Sequence, residues 1–152
     1  MQSDPDPGRP SLAVWVAASL MSLSATSGFA ECPAPPDATA ELAPLFEAAR
    51  AAENDMDGRE VSNRMWQIWM RAPDEPAQEL LDQGLRQREV YDFLGARETF
   101  DRLVAYCPLY AEGFNQRAFV SFLTEDYEAA LTDLDIARQL NPEHVGVLSG
   151  RA

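Results

Sequence analysis

Apolar positions recur at helical spacing in the C-terminal half of the chain, and the pattern occurs twice. The displacement that sets Leu80 on Phe114 also sets Gly84 on Ala118 and Phe93 on Tyr127. It further sets Ala96 on Ala130, Phe100 on Leu134 and Pro108 on Pro142. Each copy reads large apolar, small, aromatic, small, large apolar, proline. That order predicts a pair of antiparallel helices of about fourteen residues each, repeated in tandem. Two helices approach closely only where side chains are small. Gly84 and Ala96 supply that contact in one copy, Ala118 and Ala130 in the next. Phe100, Leu103, Leu134 and Ala137 are expected to fill the seam between units at i, i+3 spacing. Asp92 and Asp126 precede the second helices, where a carboxylate caps exposed N–H groups. Pro108 and Pro142 end those helices and turn the chain onward.

Residues 77–110 and 111–144, with this spacing and these residue classes, resemble the tetratricopeptide repeat, whose period is about 34 residues. Ala96-x-x-x-Phe100 with Pro108, and Ala130-x-x-x-Leu134 with Pro142, carry the resemblance best. The first helices depart from the consensus. Gln83 and Arg117 stand where leucine is commonest, and Gln87 and Ser121 where tyrosine is commonest. The resemblance implies an all-α fold, a short right-handed α-solenoid of antiparallel helix pairs. Such units bury their faces only against neighbours, so upstream residues are expected to supply a further layer. The displacement continues backwards, taking Leu80 to Phe46, Ala96 to Ser62, Phe100 to Trp66 and Leu103 to Trp69. Residues 43–76 therefore read as a degenerate helix pair. Its helices are expected near 38–52 and 58–71, broken by Asn54, Asp55, Asp57 and Gly58. The stretch from Met65 to Met70 is expected to form the core of that layer. The order of segments, with Phe114-Asn115-Gln116-Arg117-Ala118, is similar to exported proteobacterial repeat proteins of unsettled activity.

The two ends differ. Leu12 to Leu23 is apolar and too short to span hydrocarbon. Small residues at Gly28 and Ala30 suit a signal peptidase, so residues 1–30 are expected to be a cleaved signal peptide. The mature chain is then periplasmic or secreted, without a membrane anchor. Initiation at Met21 would leave it cytoplasmic. Residues 31–42 read as a linker. Residues 145–152 begin what looks like a further unit, with Arg151-Ala152 placed one period after Arg117-Ala118. This end favours a truncated version of a longer repeat protein over a surface that dimerises, and the oligomeric state stays open.

Charge narrows the partners. Twelve basic residues, all arginine, stand against 25 acidic ones, for a net charge of −13. No basic stripe displaces phosphate counterions, which excludes a nucleic-acid binder, and anionic membrane surface is equally disfavoured. The two cysteines, Cys32 and Cys107, are either a disulfide in an oxidising compartment or two unrelated thiols. There is no metal motif, phosphate loop or nucleophile elbow, so neither cofactor nor catalysis is expected. The acidic run from Glu125 to Asp135 lacks the alternating oxygens of a calcium loop. Glu143-His144 reads as ordinary surface in an inter-helix turn.

The resemblance implies a concave groove built mainly from the first helix of each unit. The groove residues it implies are Leu81, Leu85 and Arg88 in one unit and Asn115, Phe119 and Phe122 in the next. An amphipathic helix or extended peptide would lie there, unless these side chains simply pack between layers. The expected function is a scaffold or adaptor for a protein or peptide partner, without catalysis. The competing readings are an accessory subunit of an envelope enzyme or secretion complex, and a remnant of a longer repeat protein.

Overall fold

A computed structural model describes residues 31–152, and the expected signal peptide lies outside the described residues. Among the described residues every regular element is an α-helix. They run α1 (Thr39–Arg50), α2 (Asp55–Trp69), α3 (Glu75–Glu89), α4 (Phe93–Tyr106), α5 (Ala111–Leu123), α6 (Tyr127–Leu140) and α7 (Val145–Gly150). Helices α3 with α4, and α5 with α6, pack as pairs, and α4 lies against α5 to stack one pair on the other. The all-α solenoid expected from the internal echo is the fold observed. No described helix is long and apolar enough to cross a membrane.

The local reasons are legible in the caps. Asp92 Oδ1 accepts from the Gly95 N–H at 3.0 Å, and Asp126 Oδ1 from the Ala129 N–H at 3.2 Å. These carboxylates start α4 and α6 as the sequence predicts. Asp74 does the same for α3 through the Ala77 N–H at 2.9 Å. The break between α1 and α2 differs from expectation. Asn54 alone is the cap, accepting from Met56 and Asp57 N–H groups at 3.0 Å each. Asp55, Asp57 and Gly58 lie inside the first turn of α2, where acidic side chains favour the positive end of the helix dipole.

The turns joining α3 to α4 and α5 to α6 share one conformation. Tyr91 and Glu125, one period apart, hold φ of 63° and 62°. Each ends its helix with paired bonds. The Tyr91 N–H donates to Arg88 O and the Asp92 N–H to Gln87 O; the Glu125 and Asp126 N–H groups donate likewise to Phe122 O and Ser121 O. Left-handed backbone costs a side-chain-bearing residue about 1–2 kcal/mol, a strain that glycine relieves at some cost in unfolded-state entropy. Tyr91→Gly and Glu125→Gly are each expected to stabilise by roughly 0.5–1 kcal/mol, measured as a shift in the urea midpoint.

Three clusters make the core. Ala77, Leu81, Ala96, Phe100 and Leu103 enclose the first pair; Phe114, Ala118, Leu134 and Ala137 the second; Leu42, Leu45, Val61, Met65 and Trp69 the N-terminal pair. The bulky stretch in α2 thus supplies the N-terminal core through Met65 and Trp69. Small residues sit where close approach requires them. A Cβ on Gly84 would stand 2.4 Å from the Phe100 ring. Phe100 is fully enclosed and has nowhere to retreat. Gly84→Ala is therefore expected to cost about 2 kcal/mol of unfolding free energy by overpacking, measured by denaturant titration.

The α1–α2 pair is tied to the rest by the end of α2. The Tyr110 hydroxyl, at the start of α5, donates to the Trp69 carbonyl at 2.8 Å. The Trp69 indole stacks on His144, at the start of α7, with ring centroids 4.0 Å apart. Tyr110 and His144 are one period apart and hold equivalent turns, so α2 lies across the turns that lead into α5 and α7. A disulfide joins Cys32 to Cys107 at the end of α4, with Cα atoms 5.1 Å apart. It fastens the segment that leads into α1 against the first pair.

Candidate binding groove

A trough of about 960 Å³ opens on the face made by α5, α6 and the start of α7, with α2 and α3 as its outer walls. Phe119 and Phe122 stand one turn apart on α5, 45% and 54% exposed. Tyr127 and Leu131, on α6, are similarly open at 54% and 47%. Leu134 closes the floor, covered by Gly150, whose ideal Cβ position lies 3.2 Å from it. Trp66 forms part of the α2 wall. Its ring edge lies 2.5 Å from where a Cβ on Gly146 would be, so the absence of a side chain on α7 seats the tryptophan. The surface is mostly apolar carbon that water wets at a cost. Contiguous exposed aromatic and aliphatic groups of this kind mark interaction sites on folded proteins.

Five of the six residues implied by the resemblance line this trough: Leu85, Arg88, Asn115, Phe119 and Phe122. Leu81 does not. It is fully buried, sharing the inward face of α3 with Ala77 and Gly84 at helical spacing, so it serves the core. Asn115 lines the floor, but its amide donates to Glu112 at 3.1 Å. Arg88 is half-buried, stands 5.0 Å over the Phe119 ring and donates to Gln116 Oε1. Desolvation lowers the pKa of its guanidinium, against the opposing fields of Glu112 and Glu89. The arginine is thus consumed by the wall of the trough and is poorly placed to receive an incoming carboxylate.

Beneath the trough lies a polar chain that sequence reasoning missed. Glu112 and His144, each with 1% exposure, meet through His144 Nε2 and Glu112 Oε2 at 2.8 Å. Glu112 also accepts from Asn115 and, through Oε1, from Gln116. The expectation of an ordinary surface histidine is overturned. The ring is packed between Trp66 and Trp69 of α2, and burial demands a partner that Glu112 provides. One signal pointed to it. His144 is the counterpart of Tyr110 in the repeat register, in a turn that both units bury. His144 Nδ1 and Trp69 Nε1 have no hydrogen-bond partner among the described residues.

A half-buried arginine links the two units, meeting Asp133 of α6 within its own unit and the exposed Asp101 of α4 in the preceding one. Arg117 donates from Nε and Nη2 to Asp133 at 2.7 and 2.6 Å, and from Nη1 to Asp101 at 2.8 Å. Its hydrogen bond to Asp133 raises its pKa above the ordinary guanidinium value. That explains the departure from leucine at this position: Arg117 links α5 to both α6 and α4. The only group of metal-ligating types that comes together among the described residues includes Cys32 and Cys107, whose sulfurs are bonded to each other.

Stacked antiparallel helix pairs in a regular tandem, with an apolar face along the first helices, are the architecture of a tetratricopeptide-like α-solenoid. Over 68 residues the chain is 40% identical to a tetratricopeptide repeat protein 36 homolog of Nematostella vectensis, covering 45% of this chain and 38% of that protein. Over 57 residues it is 35% identical to a TPR repeat-containing protein of Rhizobium etli, covering 38% of this chain and 28% of that protein. The chain thus spans well under half the length of these relatives. No protein-family model and no solved structure matches it.

Proposed function

We propose that the chain is an exported scaffold that holds a protein or peptide partner in the trough and carries out no chemistry on it. The observation that carries this reading is the exposure of Phe119, Phe122, Tyr127 and Leu131 along one continuous face. Four large apolar groups kept in water gain only when a partner covers them, at about 25 cal/mol per Å². The absence of catalysis is supported by where the reactive side chains lie. Glu112 meets His144 Nε2, Asn115 and Gln116, and both Glu112 and His144 are only 1% exposed. The names of the two relatives agree with a repeat protein. Export is supported by the apolar run ahead of Gly28 and Ala30 and by the Cys32–Cys107 bridge, which suits an oxidising compartment.

The test is site-directed crosslinking in the native envelope. A photoreactive side chain at Phe122 is expected to yield a defined adduct that Phe119→Asp removes. The same probe at Leu94, an exposed apolar residue that does not line the trough, is expected to yield none. An adduct pattern indifferent to Phe119→Asp would reject the trough as the binding surface. Export is tested separately by mass measurement of the chain from its host, expected to begin at Glu31 with two fewer hydrogen atoms than the dithiol form.

A further inference from the structure

Resting on that reading, we infer that the occupant of the trough is a cationic amphipathic helix. Two observations select it. The first is shape. The trough is walled by helix ridges: Phe119 and Phe122 on α5, Tyr127, Leu131 and Leu134 on α6, and Trp66 on α2. Such walls receive another helix by ridge-into-groove packing, the geometry of helix-in-groove recognition. The second is charge. Glu89 follows Arg88 at one end of the wall, and Glu125 and Glu128 flank Tyr127 at the other. All three are exposed, and none forms an ion pair among the described residues.

These carboxylates neighbour the lining residues Arg88 and Tyr127 in sequence, and the one charged side chain lining the trough, Arg88, is already engaged by Gln116 and the Phe119 ring. An acidic peptide would therefore meet like charge with no free cation to receive it. A second copy of this chain would bring the same acidic rim against itself, within a protein of net charge −13. A helix with an apolar stripe flanked by Lys or Arg satisfies both the floor and the rim.

The test uses the full chain and two synthetic amphipathic helices with the same apolar stripe, one with a Lys/Arg polar face and one with a Glu polar face. Fluorescence anisotropy is read at low and at physiological salt. The cationic helix is expected to bind at least tenfold more tightly than the acidic one. The margin should shrink as salt rises, because the rim is exposed. The triple variant Glu89→Lys, Glu125→Lys, Glu128→Lys is expected to erase or invert the preference. Phe119→Asp is expected to abolish binding of both helices, with helical circular dichroism unchanged.

Equal affinities for the two helices, or a preference that survives the triple variant, would overturn the cationic partner and leave the trough standing. Binding that ignores Phe119→Asp would overturn the trough itself. A dimer detected by sedimentation and dissolved by Phe119→Asp would assign the surface to a second copy and reject the inference.

Discussion

Reduction of the Cys32–Cys107 bridge is expected to lower the thermal midpoint by about 15 °C, from about 4 kcal/mol of lost cross-link stabilisation at about 4 °C for each kcal/mol. The cysteines are separated by 75 positions, so the bridge closes a loop that takes in α1, α2, α3 and α4. A cross-link over that length removes much of the entropy that the unfolded chain would otherwise gain. Calorimetry with and without a dithiol reductant, alongside Cys32→Ser with Cys107→Ala, measures it. The two routes should agree. A fall of less than about 5 °C would show that the bridge fastens only the segment ahead of α1, whose release leaves the helix pairs intact.

The second large effect is expected at Glu112. Its carboxylate receives His144, Asn115 and Gln116, all buried. Glu112→Ala strands three donors without water, at about 1–3 kcal/mol for each buried group left unsatisfied. Because some relax toward one another, the loss is expected to total about 4 kcal/mol in denaturant unfolding. His144→Phe keeps the aromatic stack on Trp69 but leaves the carboxylate short of a donor. The double variant should therefore cost clearly less than the sum of the single ones, with a coupling of about 2 kcal/mol. Additive losses would mean that the histidine and the carboxylate stabilise the fold independently.

The same cluster explains how α2 is held. Trp69 contributes a ring to His144 and a carbonyl to Tyr110, and Trp66 fits against Gly146. Tyr110 and His144 occupy the same place in successive units. The solenoid repeat thus provides two equivalent docking points for one upstream helix. That placement also sets Trp66 on the wall of the trough, so the N-terminal pair shapes the surface a partner would meet.

Much of this architecture was written in local pattern. Helix pairing, the caps at Asp92 and Asp126, and the small residues at Gly84, Ala96, Ala118 and Ala130 depend on neighbours within one or two units. A periodic sequence reveals such neighbours because each unit repeats the other's solution. Five of the residues that the family resemblance implied for a groove line the trough. Leu81 shares a helix face with Leu85 but is fully enclosed in the core beside Ala77, and an apolar side chain suits either place. His144 failed because its burial is caused by Trp66 and Trp69 of the upstream helix pair, which reach it only in three dimensions.

Short-range spacing and composition were enough to establish the helical pairs, their period and the acidic, lysine-free character of the chain. The position of α2, the sealed pair of Glu112 and His144, the bridge that Arg117 makes between two units and the meeting of Cys32 with Cys107 emerged from the folded molecule alone. Each of those depends on side chains far apart in the chain. Their proximity is set by how whole helices pack, a sum of many small contacts that no local stretch encodes.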